Sequence, residues 1–169
     1  MASQTISEVL IRLRTGWDNV GSSSADPQDP LPVAIVGTME GDHHDLGAQA
    51  VRVLLEREGW RVYYLGADVP VEEFADIQRA QGAALVCISF SPKNTPPDLL
   101  RAIRVLAEFY RPESPYALGL GGSVGEIPQE MLRENPFTSL AIPKSTEDFL
   151  GWTRTLIEED EAAEARRVA

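Results

Sequence analysis

The chain places its only two histidines, His43 and His44, side by side in the stretch GTMEGDHHDLG, residues 37–47. Asp42 and Asp45 flank the pair. A carboxylate two residues before His44 can accept the Nδ1–H of that imidazole, which fixes the tautomer and leaves Nε2 free. Because a free Nε2 can bind a metal ion or act as a general base, this stretch predicts either a metal site or a catalytic site.

Three further stretches carry small or polar residues that a hydrophobic core does not need. Ser89 and Ser91 lie in SFSPKN, Gly121 and Gly122 lie in GLGGSVG, and Lys144 lies in PKST. Each stretch has an ordinary structural explanation, since serine before proline and paired glycines are common in turns. Their significance therefore depends on whether the fold brings them to the same place as the histidines.

Strand-like and helix-like segments alternate along the chain after the first 30 residues. Short apolar runs rich in β-branched residues predict strands at 31–39, 60–66, 83–90, 116–122 and 139–143. Amphipathic segments predict helices at 46–59, 70–82, 96–111, near 127–135 and at 145–167. Residues typical of helix ends support these limits, among them Gly59 in the C-cap position and a capping box from Ser145 to Asp148.

This alternation indicates the α/β class, with a parallel sheet covered by helices on both faces. We expect a flavodoxin-like (Rossmann-type) doubly wound sheet of five strands in the order 2-1-3-4-5, because right-handed crossovers leave few other topologies. Ligands of such sheets bind at the carboxyl ends of the strands, near the switch point between strands 1 and 3. The four stretches follow strand ends, so we expect them to meet at one rim.

Composition restricts the cellular setting and the partners. The chain has 15 basic and 26 acidic residues, a net charge of -11, which argues against direct binding of nucleic acid. The single cysteine, Cys87, lies in an apolar run, which argues against a disulfide framework and favours a reducing, cytoplasmic setting. Neither a signal peptide nor a membrane-spanning apolar run is present in the sequence, so we expect no membrane association.

The same patterns divide the chain into four segments. We expect an amphipathic helix within residues 1–20, and a flexible linker rich in serine, aspartate and proline at 21–31. The α/β domain is expected to occupy residues 32–158, with an acidic helical tail at 159–169.

Taken together, the motifs resemble the signature of a known family. The elements, in chain order, are Asp42-x-His44-x-x-Gly47, Ser89-x-Ser91 and Gly121-Gly122. This order is similar to the D-x-H-x-x-G, serine-element and G-G signature of the cobalamin (vitamin B12)-binding domain family. That family includes domains of methionine synthase, B12-dependent mutases, corrinoid methyltransfer proteins and B12-sensing regulators. The resemblance covers residues 32–156, and its three elements fall at three expected strand ends.

The resemblance implies a role for the histidine loop. His44 would be the lower axial ligand of cobalt in place of the cofactor's own dimethylbenzimidazole, the base-off/His-on arrangement. Asp42 would form a hydrogen bond with His44 and adjust its donor strength. His43 stands where the family has no fixed residue type, and we assign it no role.

The resemblance also implies a slot for the nucleotide tail of the cofactor. Gly47 would leave room beside the tail, and Ser89 would meet the displaced base with Ser91 nearby. Gly121 and Gly122 would line the slot from strand 4, where a side chain would block the tail. Ser91 stands where the family usually has leucine or threonine.

We expect a stand-alone cobalamin-binding protein that serves as a sensor, regulator or carrier through a protein partner, without touching nucleic acid itself. The alternative is the small cobalamin-binding subunit of an adenosylcobalamin-dependent mutase or a corrinoid methyltransfer protein. A phospho-receiver of the same fold is disfavoured, because Ser89 stands where strand 3 would carry an acidic acceptor. A zinc or iron site would need more converging ligands than the loop offers. A homodimer stays open, as does the choice among adenosyl-, methyl- and hydroxocobalamin.

Overall fold

The computed structural model describes residues 31–123 and 130–168, so the predicted N-terminal helix and nearly all of the predicted linker lie outside the described residues. Five strands form one sheet in the order β2-β1-β3-β4-β5, with every neighbouring pair parallel. They are β1 (Val33–Met39), β2 (Arg61–Val69), β3 (Leu85–Phe90), β4 (Ala117–Gly122) and β5 (Leu140–Ala141). The expected fold class and strand order are confirmed.

The helices follow the strands as the apolar periodicity predicts. They are α1 (Leu46–Arg57), α2 (Val71–Gln81), α3 (Pro96–Phe109), α4 (Glu130–Arg133) and α5 (Thr146–Val168). Helix α5 continues without a break through the residues after 158, where we expected an acidic helical tail that extends the last helix. In the described ranges, no helix combines the length and the apolar composition that crossing a lipid bilayer requires.

The helices cover both faces of the sheet. Helices α2 and α3 bury Phe74, Leu99 and Leu106 against one face, and α1 and α5 bury Leu55 and Phe149 against the other. Strand β3, at the centre, is buried along its whole length, which explains why its sequence is apolar without alternation. The sheet therefore separates two hydrophobic layers, as the doubly wound fold requires.

Helix ends are fixed by local hydrogen bonds. The Ser145 hydroxyl accepts the backbone N–H of Asp148 at 3.0 Å, so this half of the predicted capping box is present at the start of α5. Helix α3 has a full capping box between Thr95 and Asp98. Gly59 follows the last residues of α1 with φ of +92°, a conformation that only glycine adopts freely.

The register of the sheet places two rows of side chains beneath α1 and α5. In the first row, Val36 of β1 pairs with Cys87 of β3, and Cys87 pairs with Gly119 of β4. In the second row, two residues further along β3 and β4, Ser89 pairs with Gly121. Since residues two apart on a strand share a face, both rows lie on the same side of the sheet. The small residues in these rows leave space between the carboxyl end of the sheet and the helices above it.

Candidate functional site

The loop between β1 and α1 carries a buried carboxylate beside an exposed imidazole. The side chain of Asp42 is 0% exposed, whereas that of His44 is 55% exposed. Asp42 Oδ1 lies 3.2 Å from His44 Nδ1 and accepts the backbone N–H of His44 at 3.0 Å. In the tautomer in which Nδ1 donates to Asp42, Nε2 carries the free lone pair. The loop therefore offers one oriented nitrogen donor.

The environment of Asp42 keeps it ionised. Burial raises the pKa of this carboxyl group, but hydrogen bonds from the backbone of His44 and Ser91 and from their side chains outweigh burial. The net result is a pKa below the ordinary value for aspartate. An ionised Asp42 can accept from His44 Nδ1 but cannot donate to it, which favours the tautomer with Nε2 free.

Ser91 forms a hydrogen bond with the buried Asp42. Its backbone N–H donates to Asp42 Oδ2 at 2.8 Å and also to Asn94 Oδ1 at 2.8 Å. We expected Ser91 to lie near Ser89 in a slot for the cofactor tail. Strand β3 ends at Phe90, so Ser91 is the first residue beyond it, and its hydrogen bond to Asp42 connects this strand end with the β1–α1 loop.

The two histidines differ in their surroundings. The side chain of His43 is 72% exposed, and its Nδ1 lies 3.9 Å from Asp68 Oδ2, a pair too open to hold the ring firmly. His44 has the buried Asp42 as its partner. Of the two imidazoles, only that of His44 therefore has the support that a metal ligand usually receives.

Asp45, the last residue of the loop before α1, forms side-chain hydrogen bonds with α1 and β2. Its Oδ2 accepts the Tyr64 hydroxyl at 2.7 Å and Gln49 Nε2 at 2.9 Å. Burial, followed by the hydrogen bond to Asp45, raises the pKa of Tyr64, which keeps the phenol protonated as a donor. The sequence showed Asp45 only as a flanking acidic residue, because Tyr64 is remote in the chain and nothing local indicates the contact.

A cavity of about 390 Å³ lies between the sheet and the helices α1 and α5. Its residues are mainly small and apolar, with Lys144, Ser145 and Thr146 contributed by the segment that opens α5. The lining comprises Val36, Gly47, Ala50, Val51, Leu54, Cys87, Ile88, Ser89, Gly119, Leu120, Gly121, Gly122, Pro143, Lys144, Ser145, Thr146 and Phe149. Four predicted site residues, Gly47, Ser89, Gly121 and Gly122, thus meet here, whereas Asp42, His44 and Ser91 lie outside its lining.

A side chain added at each glycine of the cavity would meet a different environment. A Cβ at Gly47 would lie 2.5 Å from Ser89 Oγ, so these two residues are in close contact across the slot. A Cβ at Gly121 would meet no atom within 4 Å, and would extend into open space. Gly122 has φ of +110°, and its Cβ would lie 1.9 Å from the Phe90 carbonyl oxygen. Gly121 therefore keeps the cavity open, whereas Gly122 is required by the backbone itself.

One face of α1 forms a wall of the cavity that sequence reasoning missed. Gly47, Ala50, Val51 and Leu54 recur at helical spacing and all line it. The sequence pattern did show this apolar stripe, but an apolar stripe on a helix ordinarily packs on a sheet. Cys87 was likewise missed as a lining residue; burial raises the pKa of its thiol, which disfavours the thiolate.

The histidine loop offers a single oriented imidazole as a metal donor. Within residues 31–123 and 130–168, no cluster of three or more histidine, cysteine, aspartate or glutamate side chains could hold a bare metal ion. A lone imidazole can complete the coordination of a metal already held by a macrocycle. The adjacent slot would then accommodate an elongated part of the same ligand.

Comparison with known proteins decides the family. Residues 32–142 match the family described as the B12 binding domain. The chain belongs to the B12-binding domain family. Cobalamin is therefore the cofactor class of this domain, and the match spans β1 to β5, the strands around which the histidine loop and the cavity are built.

Two curated relatives place this B12-binding domain in different settings. The chain is 29% identical over 124 residues to the HTH-type transcriptional repressor CarA of Myxococcus xanthus, covering 72% of this chain and 40% of CarA. It is 33% identical over 78 residues to dimethylamine corrinoid protein 1 of Methanosarcina acetivorans, covering 46% of this chain and 37% of that protein. The matched regions thus span less than half the length of these relatives.

Solved structures share the fold of the B12-binding domain. A cobalamin-binding protein from Desulfitobacterium hafniense has a TM-score of 0.57 at 20% identity, covering 74% of this chain and 58% of that one. The methanol:cobalamin methyltransferase complex MtaBC of Methanosarcina barkeri has a TM-score of 0.60 at 21% identity, covering 90% of this chain and 55% of the matched one. At these identities the similarity shows a common fold.

Proposed function

We propose that this protein binds cobalamin base-off/His-on, with His44 as the lower axial ligand and the nucleotide tail in the cavity between the sheet and helices α1 and α5. The observation that carries the proposal is the contact between His44 Nδ1 and the wholly buried Asp42, 3.2 Å apart. It leaves Nε2 free on a loop that leads directly into Gly47, a wall of the cavity.

The residues present fit the cofactor. Gly121 leaves open space where any other residue would place a Cβ. The small residues Cys87, Gly119 and Ser89 line the floor of the slot, which is its sheet side, and leave room above the sheet. The floor and the α1 wall are apolar and suit the flat benzimidazole. Lys144 is the only charged side chain in the cavity lining described, and it offers a cation to the phosphate of the tail.

One group of residues orients the imidazole of His44, and a second group borders the slot for the nucleotide tail. Asp42 holds His44 by Nδ1, and Ser91 holds Asp42 by a backbone N–H, so the imidazole is aimed by a buried hydrogen-bond chain. Gly47 and Ser89 meet across the slot and set its width. When bound, cobalamin supplies a cobalt centre that can carry an alkyl group, and the donor strength of His44 tunes that centre.

We further propose that the protein senses or carries cobalamin and acts through a protein partner. The described site accounts for cofactor binding, and among residues 31–123 and 130–168 we identify no constellation for a second substrate. The similarity to CarA, which extends over 72% of the chain, supports a regulatory role. The similarity to dimethylamine corrinoid protein 1 supports the second candidate, a corrinoid subunit in methyl transfer.

The cofactor proposal is tested by loading the purified protein with hydroxo-, methyl- and adenosylcobalamin, desalting it and recording absorption spectra. We expect a retained cofactor with a base-off/His-on spectrum. His44→Ala is expected to lose the His-on spectrum, and the matched control His43→Ala is expected to keep it. If no form of cobalamin stays with the wild-type protein, the proposal is wrong.

The two candidate roles are separated by the response to the upper ligand. A sensor that acts by self-assembly is expected to change its oligomeric mass when adenosylcobalamin is bound or photolysed, as measured by light scattering. A methyl carrier is expected to keep the same mass in the apo, methyl and hydroxo forms. An identical mass in every form, dark and illuminated, would favour the corrinoid subunit over such a sensor.

A further inference from the structure

Asp68, near the end of β2, has an unusual backbone conformation. Its φ is +59°, and in the described ranges it is the only residue other than glycine with a positive φ. The left-handed region is disfavoured for residues with a Cβ, although aspartate tolerates it better than most. Such conformations persist only where surrounding contacts hold them, and they are frequent at functional sites.

Asp68 forms hydrogen bonds with the end of β1 and with the histidine loop. Its backbone N–H donates to the Asp42 carbonyl at 3.1 Å and to Thr38 Oγ1 at 3.2 Å. Its side-chain Oδ1 accepts the backbone N–H of Gly41 at 2.7 Å. The buried Thr38 hydroxyl in turn donates to the Asp42 carbonyl at 2.7 Å. Asp68 and Thr38 therefore clamp the loop backbone at two points, the Gly41 N–H and the Asp42 carbonyl.

This clamp and the imidazole contact act on opposite ends of one residue. The carbonyl of Asp42 is held by Thr38 and Asp68, while its carboxylate faces His44 and the backbone of Ser91. A carboxylate that accepts from one ring nitrogen fixes the orientation of an imidazole, so a backbone held in place at Asp42 helps to define where Nε2 of His44 points. The left-handed turn at Asp68 is what brings both its N–H and its Oδ1 to the loop at once.

We propose that Asp68 is a positioning residue that fixes the histidine loop so that Asp42 presents its carboxylate to His44. The inference rests on the proposed function, in which His44 binds cobalt. Asp68 acts through the loop backbone and does not touch the cofactor. Its Oδ2 lies 3.9 Å from His43 Nδ1, and both side chains are largely exposed, so that pair adds little to the clamp.

The backbone part of the proposal can be tested on the apo protein. In Asp68→Gly the left-handed conformation is free of strain and the carboxylate is absent, so we expect an unchanged melting temperature and a Gly41 amide that exchanges about tenfold faster. Asp68→Asn keeps an Oδ1 acceptor and tolerates the same φ, so we expect exchange within about twofold of wild type. Glu73→Gln, an exposed charge change on α2, serves as the matched control.

The ligand part is tested by electron paramagnetic resonance of the cob(II)alamin-loaded proteins, produced in cells grown with 15N-labelled histidine. In these samples the doublet splitting of the cobalt lines by 15N reports coordination by His44, whereas a triplet splitting would report the unlabelled dimethylbenzimidazole of the cofactor, and only the 15N doublet is counted as nitrogen splitting. We expect splitting in wild type, Asp68→Asn and Glu73→Gln. We expect its loss, or at least about a tenfold fall in the His-on to His-off ratio, in Asp68→Gly. A merely structural role would change the melting temperature and leave this ratio as it is.

The outcomes separate the two proposals. If the wild type binds cobalamin without nitrogen splitting, the assignment of His44 fails, whatever the Asp68 variants do. If the wild type shows splitting and Asp68→Gly shows the same splitting with an equally protected Gly41 amide, only the role of Asp68 is overturned. Unfolding of Asp68→Gly would also overturn it, because the residue would then support the whole fold rather than the loop.

Discussion

Replacing Gly121 with valine tests whether the cofactor tail occupies the cavity. Gly121 lies on β4 beside Ser89 of β3, and a Cβ placed there would meet no atom within 4 Å. The added isopropyl group therefore enters the cavity of about 390 Å³ rather than the packed core. The change therefore removes space from the slot.

The structure predicts opposite effects on folding and on binding. Glycine weakens a strand by roughly 0.5–1 kcal/mol relative to alanine, so Gly121→Val is expected to leave the free energy of unfolding of the apo protein equal or slightly higher. Overfilling a site that a ligand must occupy costs about 1–3 kcal/mol. Since about 1.4 kcal/mol is a factor of ten, we expect the Kd for cobalamin to rise about tenfold to hundredfold.

The assay pairs urea unfolding of the apo protein with a cobalamin titration followed by absorption. The neighbouring substitution Gly122→Val is the matched control. Its φ of +110° and a Cβ at 1.9 Å from the Phe90 carbonyl oxygen predict a loss of stability in the apo protein itself. The two variants differ by one position, so they separate a glycine that serves the cavity from one that serves the backbone.

A stable Gly121→Val protein with the wild-type Kd would refute the reasoning, because the tail could not then lie against β4. A Gly121→Val protein that unfolds as readily as Gly122→Val would also refute it, since the space beside Gly121 would not be open.

Three further predictions follow from the same contacts. Gly47→Ala would bring a Cβ to 2.5 Å from Ser89 Oγ, but that hydroxyl can rotate away and alanine favours helix α1 by about 1 kcal/mol over glycine, so urea unfolding should show a change in the free energy of unfolding of no more than about 1 kcal/mol. A loss of more than about 3 kcal/mol that Ser89→Ala restores would show that the hydroxyl cannot move. Burial raises the pKa of Cys87, so iodoacetamide should alkylate the native thiol at least about a hundredfold more slowly than the urea-unfolded one at mildly alkaline pH, by mass spectrometry; equal rates would show an accessible thiolate. Asp98→Ala should cost about 1 kcal/mol at neutral pH by removing the capping box. Hydrogen bonds from the Thr95 side chain and backbone hold the pKa of Asp98 below its ordinary value, so this difference should be present above the unfolded pKa and fade as the pH falls through the native one; a pH-independent difference would exclude the ionised carboxylate as its source.

Much of the fold could be predicted because its signals are local. The apolar strands, the amphipathic helices and residues such as Gly59 and Ser145 each act within a few positions of themselves. The handedness of crossovers then leaves few ways to order five parallel strands. The length of β5 was overestimated, since only Leu140–Ala141 pairs with β4.

The candidate site was predictable only in part. Gly47, Ser89, Gly121 and Gly122 converge on the cavity because they lie at strand ends or the start of a helix, where topology alone places them. We assigned Ser91 to the cofactor site near Ser89, but the sequence did not indicate that its backbone N–H donates to Asp42 Oδ2. The sequence shows that Ser91 follows Ser89 by two residues. It does not show that the segment after β3 contacts the β1–α1 loop, because Asp42 is remote from Ser91 in the chain.

The sequence by itself determined the order of the sheet, the loop that bears His44 and the family to which the domain belongs, because these depend on residue type, spacing and handedness. Only the tertiary structure decided which residues form the cavity, why Gly121 and Gly122 differ, and how Asp68 reaches the histidine loop. Those features depend on distances between segments that are far apart in the chain. Close contact between distant residues leaves no periodic pattern in the sequence, so it becomes visible only when the strands are in register.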